Sequence, residues 1–195
     1  MTATPLEPSD EFKLARLAGA GDPVSQEHLV ILLRPRVRSI ALAILGHAAD
    51  AEDATQTILI AVLEGAKSFR GGSLSAWADR IAVRTAVRHA RQRRVRATHF
   101  DSEADAEAAA PDPNSAAARH GIPRSVLDYL AELPEARRTV LVLRHVLEYS
   151  IEEIASITES SPNTVKDRLL QARRQIRQGI RRDTAVVPVK KRGPE

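Results

Sequence analysis

The sequence contains no cysteine, and only 3% of its 195 residues are aromatic, with a single tryptophan. The absence of cysteine excludes disulfides and thiolate metal sites, and it fits a protein of a reducing compartment. Histidine is another common metal ligand, and six histidines occur, at positions 28, 47, 89, 99, 120 and 145. None has the spacing of a ligand set, and no nucleophile or base stands out. The sequence therefore predicts no enzyme activity, no metal and no cofactor.

Long apolar runs are also absent. The most apolar stretch, residues 29–45, is interrupted by Arg34, Pro35, Arg36 and Arg38, so no run reaches the roughly twenty residues that cross a bilayer. The first ten residues are acidic and contain proline, whereas a secretory signal has a basic start and an apolar core. These features predict a soluble, cytoplasmic protein without membrane insertion.

Helical periodicity dominates the rest of the chain. Hydrophobic residues make up 43% of the sequence, which is enough for a packed core. They recur at helical spacing in residues 12–17, 29–44 and 58–63, with glycines between these segments. Strand-like alternation is scarce. The sequence therefore predicts an all-α protein.

Charge is segregated along the chain, although 29 basic and 25 acidic residues leave a net charge of only +4. Residues 97–121 combine acids with alanine and proline, a composition that predicts a flexible linker between two small helical domains. The acids of this linker either solubilise a plain tether or compete with DNA for neighbouring arginines. A basic tail follows from residue 183 and is expected to be frayed.

A first basic segment spans residues 80–96. Arg80, Arg84 and Arg88 recur at helical spacing, and no acid occurs from Ile81 to the end of the segment. The spacing predicts one continuously cationic helix face, which suits phosphate groups.

Aromatic residues precede this segment. Phe69 opens the loop at residues 69–73 (FRGGS), and Trp77 follows at the start of the predicted helix. Aromatic rings beside arginines suit single-stranded bases, which stack on the rings while the backbone follows the charge. Alternatively, both rings belong to the core of a small bundle, and for Trp77 the core is the favoured interpretation.

A further helix is predicted from the acids at residues 50–53, which favour the positive end of its dipole. The run at residues 58–63 that follows is apolar on all sides. Such a run predicts a helix that is buried nearly all round.

The C-terminal part has the pattern of a helix-turn-helix. Ser150 and Glu153 form a capping box at the start of a short helix. Ser161 and Pro162 then suit the N-cap and the first position of a second helix. The turn between them has Glu159 where glycine would ease a left-handed backbone, at a cost of up to roughly 1 kcal/mol.

The second basic segment, residues 161–182, is the predicted DNA-reading helix. Such helices place their N-terminal residues at base edges and flanking cations on phosphates. The expected contacts are Asn163, Thr164, Lys166, Arg168, Arg173 and Arg174. The expected core side is formed by Val165, Leu169, Leu170, Ile176 and Ile180.

Four stretches together resemble the extracytoplasmic-function (ECF) sigma factors of bacterial RNA polymerase, within the sigma-70 family. They are residues 50–56 (DAEDATQ), residues 69–82 with Trp77 and the triplet RIA, residues 133–137 (LPEAR), and residues 149–169 from YSIEEIA to TVKDRL. Their order and their separation by an acidic linker make the resemblance specific. It implies a protein without a catalytic centre that confers promoter specificity on the polymerase.

The resemblance also implies a division of the chain. Residues 1–96 are similar to sigma domain 2, which docks on the polymerase β′ coiled coil and melts the minus-ten element. Residues 97–121 are the linker, residues 122–182 are similar to domain 4, and residues 183–195 are the tail. Domain 4 reads the minus-thirty-five element with its helix-turn-helix and meets the β flap with its other side.

Several site residues follow from the resemblance alone. Asp50, Asp53 and Gln56 fall where the family contacts the coiled coil. The loop containing Phe69, Arg70 and Ser73 falls where the family captures an unstacked base. Where many members have an asparagine after the RIA triplet, this chain has Arg84. Because an arginine cannot replace an amide on a base edge, the minus-ten base preference does not transfer.

Two hypotheses for the function remain open at this point. A sigma factor would bind core polymerase and promoter DNA, and the family commonly pairs with an anti-sigma factor. A stand-alone helix-turn-helix regulator would bind duplex DNA as a dimer, but it leaves the motifs around Asp50 and Phe69 without a role.

Overall fold

The computed structural model describes residues 8–99 and 124–186, and every regular element in these ranges is helical. The predicted all-α fold is therefore confirmed. The chain divides into two compact units, Met1–Asp105 and Ala106–Glu195. Residues 100–121 of the predicted linker and the tail from residue 187 lie outside the described ranges. Within those ranges, no helix is long and apolar enough to cross a membrane, and no group of three or more His, Asp or Glu side chains is suited to hold a metal ion.

Residues 8–99 of the first unit form four helices and a short turn. They are α1 (Pro8–Gly19), α2 (Pro23–Leu45), α3 (Ala48–Gly65), a 3-10 turn (Ala66–Ser68) and α4 (Leu74–His99). Helix α2 is central, since it packs against α1, α3 and α4. It begins at Pro23 because the carboxylate of Asp22 accepts a hydrogen bond from the Ser25 backbone N–H at 2.9 Å, and the missing N–H of proline costs nothing there.

Apolar side chains from α2, α3 and α4 fill the core of this unit. The fully buried ones include Leu29, Ile44, Ile58, Leu74 and Val83. Burying each of them contributes about 1.5–3 kcal/mol relative to exposure. Helix α1 closes the unit at the 3-10 turn. A Cβ on Gly19 would lie 2.5 Å from the backbone nitrogen of Lys67, so only glycine permits this approach.

The apolar run of α3 is not buried all round, so that prediction is wrong. Ile58 and Val62 are at most 1% exposed and Leu59 is 8% exposed, but Ile60 is 58% exposed. Residues two apart on an α-helix point about 200° away from each other. Ile58 and Ile60 therefore cannot both face one core, and α3 has a single buried side.

The described residues of the second unit, 124–186, also form four helices. They are α5 (Val126–Ala131), α6 (Glu135–His145), α7 (Ile151–Ile157) and α8 (Pro162–Val186). Helix α8 packs against the other three. Its Gly179 lies against the ring of Tyr129 on α5, where a Cβ would be 3.2 Å from the ring.

The expectation of a frayed tail from Asp183 is wrong for the start of that segment. Helix α8 continues to Val186. The Asp183 carboxylate accepts a hydrogen bond from Arg182 at 3.1 Å and lies 3.5 Å from Arg124. The bond from Arg182 is also the main reason that the pKa of Asp183 is lowered. Glu132 pairs with both arginines, so an ionic network joins the end of α8 to the two ends of α5.

Candidate nucleic-acid interfaces

The predicted helix-turn-helix is present as α7, a short turn and α8. The Glu153 N–H donates to Ser150 Oγ at 3.2 Å, and the Ser150 N–H donates to Glu153 Oε2 at 2.8 Å. At the start of α8, Ser161 Oγ accepts from the Thr164 N–H at 3.1 Å. Both predicted caps are therefore confirmed. Glu159 has a left-handed φ of 49°, so the turn carries the backbone strain anticipated for a residue other than glycine.

One face of α8 is exposed to solvent. Four predicted DNA contacts are exposed on it, namely Asn163, Lys166, Arg173 and Arg174. Thr164 is half-buried, and its hydroxyl lies 2.8 Å from Ser161 Oγ. On the opposite side, Val165 and Ala172 are fully buried. The face is therefore cationic and accessible, as a groove-binding helix requires.

Two of the arginines predicted to contact DNA have partners inside the unit. Arg168 donates from Nη1 to Ser160 Oγ at 2.9 Å and is half-buried against the turn. Arg173 lies 2.9 Å from His145 Nε2. Burial, followed by the charges of Arg173 and Arg144, lowers the pKa of His145, so the neutral ring accepts from Arg173. Arg168 is therefore less accessible than the other predicted contacts Asn163, Lys166, Arg173 and Arg174, which are exposed.

Helix α4 carries the predicted cationic face of the first unit. Arg80, Arg84 and Arg88 are exposed and follow one another at one helical turn. No hydrogen bond or ion pair within residues 8–99 and 124–186 engages their guanidinium groups. Ala82 and Ala86 are fully buried on the other side. The geometry of the face is confirmed, and its contact with nucleic acid stays a prediction.

Phe69 lies inside the first unit rather than on the loop surface. The residue is 5% exposed, and its ring centroid is 6.2 Å from that of Phe12 and 5.4 Å from that of Trp77. Of the two interpretations given for Phe69, burial in an aromatic cluster favours the core of the bundle over base stacking. Trp77 is half-buried in the same cluster, in agreement with the core interpretation.

The remainder of the loop is exposed directly before α4. Arg70 donates to the Lys67 carbonyl at 2.9 Å. Gly71 and Gly72 have φ values of 100° and 84°, which favour glycine. Ser73 Oγ accepts from the Ala76 N–H at 3.2 Å and so caps α4. The loop thus offers a cation and accessible backbone beside the first arginines of the cationic face.

The predicted polymerase contacts lie along α3. Asp50 forms an ion pair with Arg93 of α4, and both side chains remain partly exposed. Asp53 and Gln56 are exposed and have no such ion pair in the described ranges. Ile60, one turn beyond Gln56, extends this surface with an exposed apolar side chain. Ile60 was not among the predicted site residues, although its spacing of four from Gln56 indicates the same exposed side of α3.

Leu170 is a second exposed residue that the sequence analysis misplaced. It was expected in the core but is 60% exposed. The signal was its spacing, since Leu170 is seven residues after Asn163 and therefore shares its side of α8. An apolar side chain thus lies within the candidate DNA-binding face.

Family models match most of each described unit. The model described as Sigma-70 region 2 matches residues 29–96, and the model described as Sigma-70, region 4 matches residues 124–176. These matches include most of α2, all of α3 and most of α4 in the first unit, and α5 to α7 with the first part of α8 in the second.

Curated relatives and solved structures agree with these matches. The RNA polymerase sigma-H factor of Pseudomonas aeruginosa is 30% identical over 182 residues, which cover 88% of this chain and 94% of the relative. The ECF RNA polymerase sigma factor SigE of Mycolicibacterium smegmatis is 30% identical, with 88% and 69% covered. A structure of the sigma factor RpoE in complex with the anti-sigma factor NepR from Bartonella quintana shares the fold. Its TM-score is 0.55 at 21% identity, over 83% of this chain and 98% of that one. The chain therefore belongs to the sigma-70 family, as one of the ECF RNA polymerase sigma factors.

Proposed function

We propose that this protein binds core RNA polymerase, brings it to a two-part promoter and helps to open the DNA. Besides membership of the family, the main support is that each unit exposes its own cationic helix face, on α4 and on α8. A regulator of duplex DNA needs only the second of these faces. Two faces in two units suit a protein that holds a duplex element and an unpaired strand together.

The second unit contacts the minus-thirty-five duplex in this proposal. Asn163 and Thr164 lie in the first turn of α8, where a helix-turn-helix approaches base edges. Lys166, Arg173 and Arg174 supply phosphate contacts, which position the helix without reading sequence. Arg168 donates a hydrogen bond to Ser160 in the turn and approaches the DNA backbone from the edge of the exposed face of α8. The side away from the DNA meets the polymerase β flap.

The first unit engages the minus-ten element. Arg80, Arg84 and Arg88 follow the backbone of the unpaired strand, while Arg70 and Ser73 border the place of an extruded base. Extruding a base costs a few kcal/mol, which several phosphate contacts offset. Because Phe69 is buried, the loop contributes charge and backbone groups rather than a stacking ring.

Helix α3 docks on the β′ coiled coil in this proposal, through Asp53 and Gln56 with Asp50 at the edge. Asp53 and Gln56 are exposed, so contact with a partner requires no internal bond to break. To contact the coiled coil, Asp50 would have to break its ion pair with Arg93 or share its carboxylate between Arg93 and the partner.

An anti-sigma factor is a further proposed partner. The sigma factor RpoE of Bartonella quintana, which shares this fold, was solved with the anti-sigma factor NepR. CnrH, which also shares the fold, was solved with the cytosolic domain of CnrY. Such a partner would compete for the exposed faces that polymerase and promoter use.

Run-off transcription with core polymerase on a promoter library tests the proposal. We expect a stoichiometric complex with core polymerase and transcripts from a subset of templates. Asp53→Arg should weaken the complex, whereas Glu27→Arg makes the same charge change at an exposed site of α2 and should not. Binding to duplex DNA as a dimer, with no association with polymerase, would instead favour a stand-alone regulator.

A further inference from the structure

The centre of the exposed face of α8 is a ridge that contains an acid. At about 100° per residue, Asn163, Asp167, Leu170 and Arg174 fall within roughly 60° of one another. All four are exposed, and Leu170 is 60% exposed. Lys166 flanks this ridge on one side, while the half-buried Arg168 lies beyond its other edge. The residues that project furthest toward a groove are therefore those of the ridge.

Asp167 is a negatively charged residue on a face that otherwise attracts DNA through its positive charge. A carboxylate on a face that meets phosphates weakens binding to every sequence. Its partner within the described residues is neutral, since Gln171 Nε2 donates to Asp167 Oδ2 at 2.7 Å. That bond orients the carboxylate and leaves Oδ1 available as an acceptor. In the major groove, a carboxylate accepts a hydrogen bond from the N4 amino group of cytosine.

Leu170 adds an apolar contact to the same ridge. A leucine that is 60% exposed on a helix rich in arginine gains no core packing from its position. The major groove contains one apolar group that such a side chain can cover, the C5-methyl group of thymine. Covering this methyl group removes apolar surface of both partners from water.

We propose that Asp167, oriented by Gln171, reads a cytosine in the promoter duplex, and that Leu170 reads the methyl group of a nearby thymine. This inference rests on the proposed function, because it assigns base recognition within the proposed minus-thirty-five contact. It places recognition on the ridge, whereas Arg168 is bonded to the turn.

Selection of randomised duplexes by the full chain with core polymerase tests the assignment. Asparagine bonds adenine bidentately, so Asp167→Asn should change the preferred base from cytosine to adenine at one position, with roughly tenfold loss of the cytosine preference. Its binding to scrambled DNA should strengthen, because one negative charge is removed. If Asp167 had only a structural role, Asp167→Asn would leave the preferred base at that position unchanged. Glu152→Gln removes an exposed charge from α7 and should leave all base preferences unchanged.

Replacing thymine by deoxyuracil tests the second contact. Loss of one methyl contact should weaken wild-type binding about threefold to fourfold at one position, and Leu170→Ala should bind both duplexes equally. An unchanged base preference in Asp167→Asn, or no base preference in the wild type, would overturn the assignment. If the preference changes as expected but the chain neither binds core polymerase nor initiates transcription, the base assignment stands and the proposed function fails.

Discussion

Lys166 is an exposed cation on α8 that forms no ion pair within residues 8–99 and 124–186. If its ammonium group contacts a phosphate, it releases about one counterion on binding. Lys166→Ala should then weaken promoter binding on all sequences to a similar degree. The slope of log K against log salt should flatten by about one unit. Titration of promoter DNA with the polymerase complex at several salt concentrations measures this slope.

Gln178→Ala is the matched control for Lys166→Ala. Gln178 is exposed on the same helix and is neutral, so its removal should leave the salt slope unchanged. A wild-type slope in Lys166→Ala would mean that Lys166 does not touch phosphate. A loss confined to one promoter sequence would mean instead that Lys166 reads a base.

Side-chain direction is the feature of single residues that the sequence predicts least well. Leu169 is 6% exposed and Leu170 is 60% exposed, yet their chemistry is identical and they are neighbours. Only the helical phase separates them, and that phase depends on where the caps start the helix. Phe69 lies in a loop without periodicity, so its burial against Phe12 depends on a contact between distant parts of the chain.

At the scale of elements, ion pairs join α2 to α3 and to α4 in different environments. Arg36 binds Asp79 of α4 through two hydrogen bonds of 2.6 Å, and the Asp79 side chain is 12% exposed. Arg34 binds Glu52 of α3 at 2.8 Å, and the Glu52 side chain is 37% exposed. Removing Arg36 leaves a nearly buried carboxylate without its partner, so the pair of Arg36 and Asp79 should contribute more to the unfolding free energy than the pair of Arg34 and Glu52.

Arg36→Ala should lower the unfolding free energy of the first unit by about 1.5–3 kcal/mol. Arg34→Ala should lower it by less than about 1 kcal/mol. Trp77 is the single tryptophan of the chain and lies in this unit, so its fluorescence during denaturation reports the unit specifically. Equal losses in the two variants would show that the burial of Asp79 has no energetic consequence.

Helices and caps could be predicted from the sequence because they depend on nearby residues. Ser150 and Glu153 of the capping box are three positions apart, and the N-cap Ser161 bonds to Thr164 at the same separation. By contrast, Arg36 and Asp79 are 43 positions apart. Charge and apolarity do not indicate which distant acid an arginine meets, because that choice is made by helix packing. The candidate site was therefore predictable as cationic helix faces, but not in its ion pairs.

At the scale of the whole molecule, the two cationic faces lie in separate compact units. In the proposed function, the face of α8 acts on duplex DNA and the face of α4 acts on the unpaired strand. The two steps are separable in time, because recruitment precedes melting. Variants of the two faces should therefore respond differently when the promoter is melted beforehand.

Arg84→Ala should reduce transcription from a duplex promoter by roughly tenfold, the value of one charged hydrogen bond to phosphate. On a template with unpaired minus-ten bases, the cost of separating the strands is already removed. Transcription by Arg84→Ala should therefore approach that of the wild type on this template. Lys166→Ala should stay impaired on both templates, since its minus-thirty-five duplex is intact in each. Arg38→Ala removes a cation of the same unit that is already paired with Glu52 and serves as the control. If Arg84→Ala is equally impaired on both templates, the face of α4 acts in recruitment rather than in strand separation.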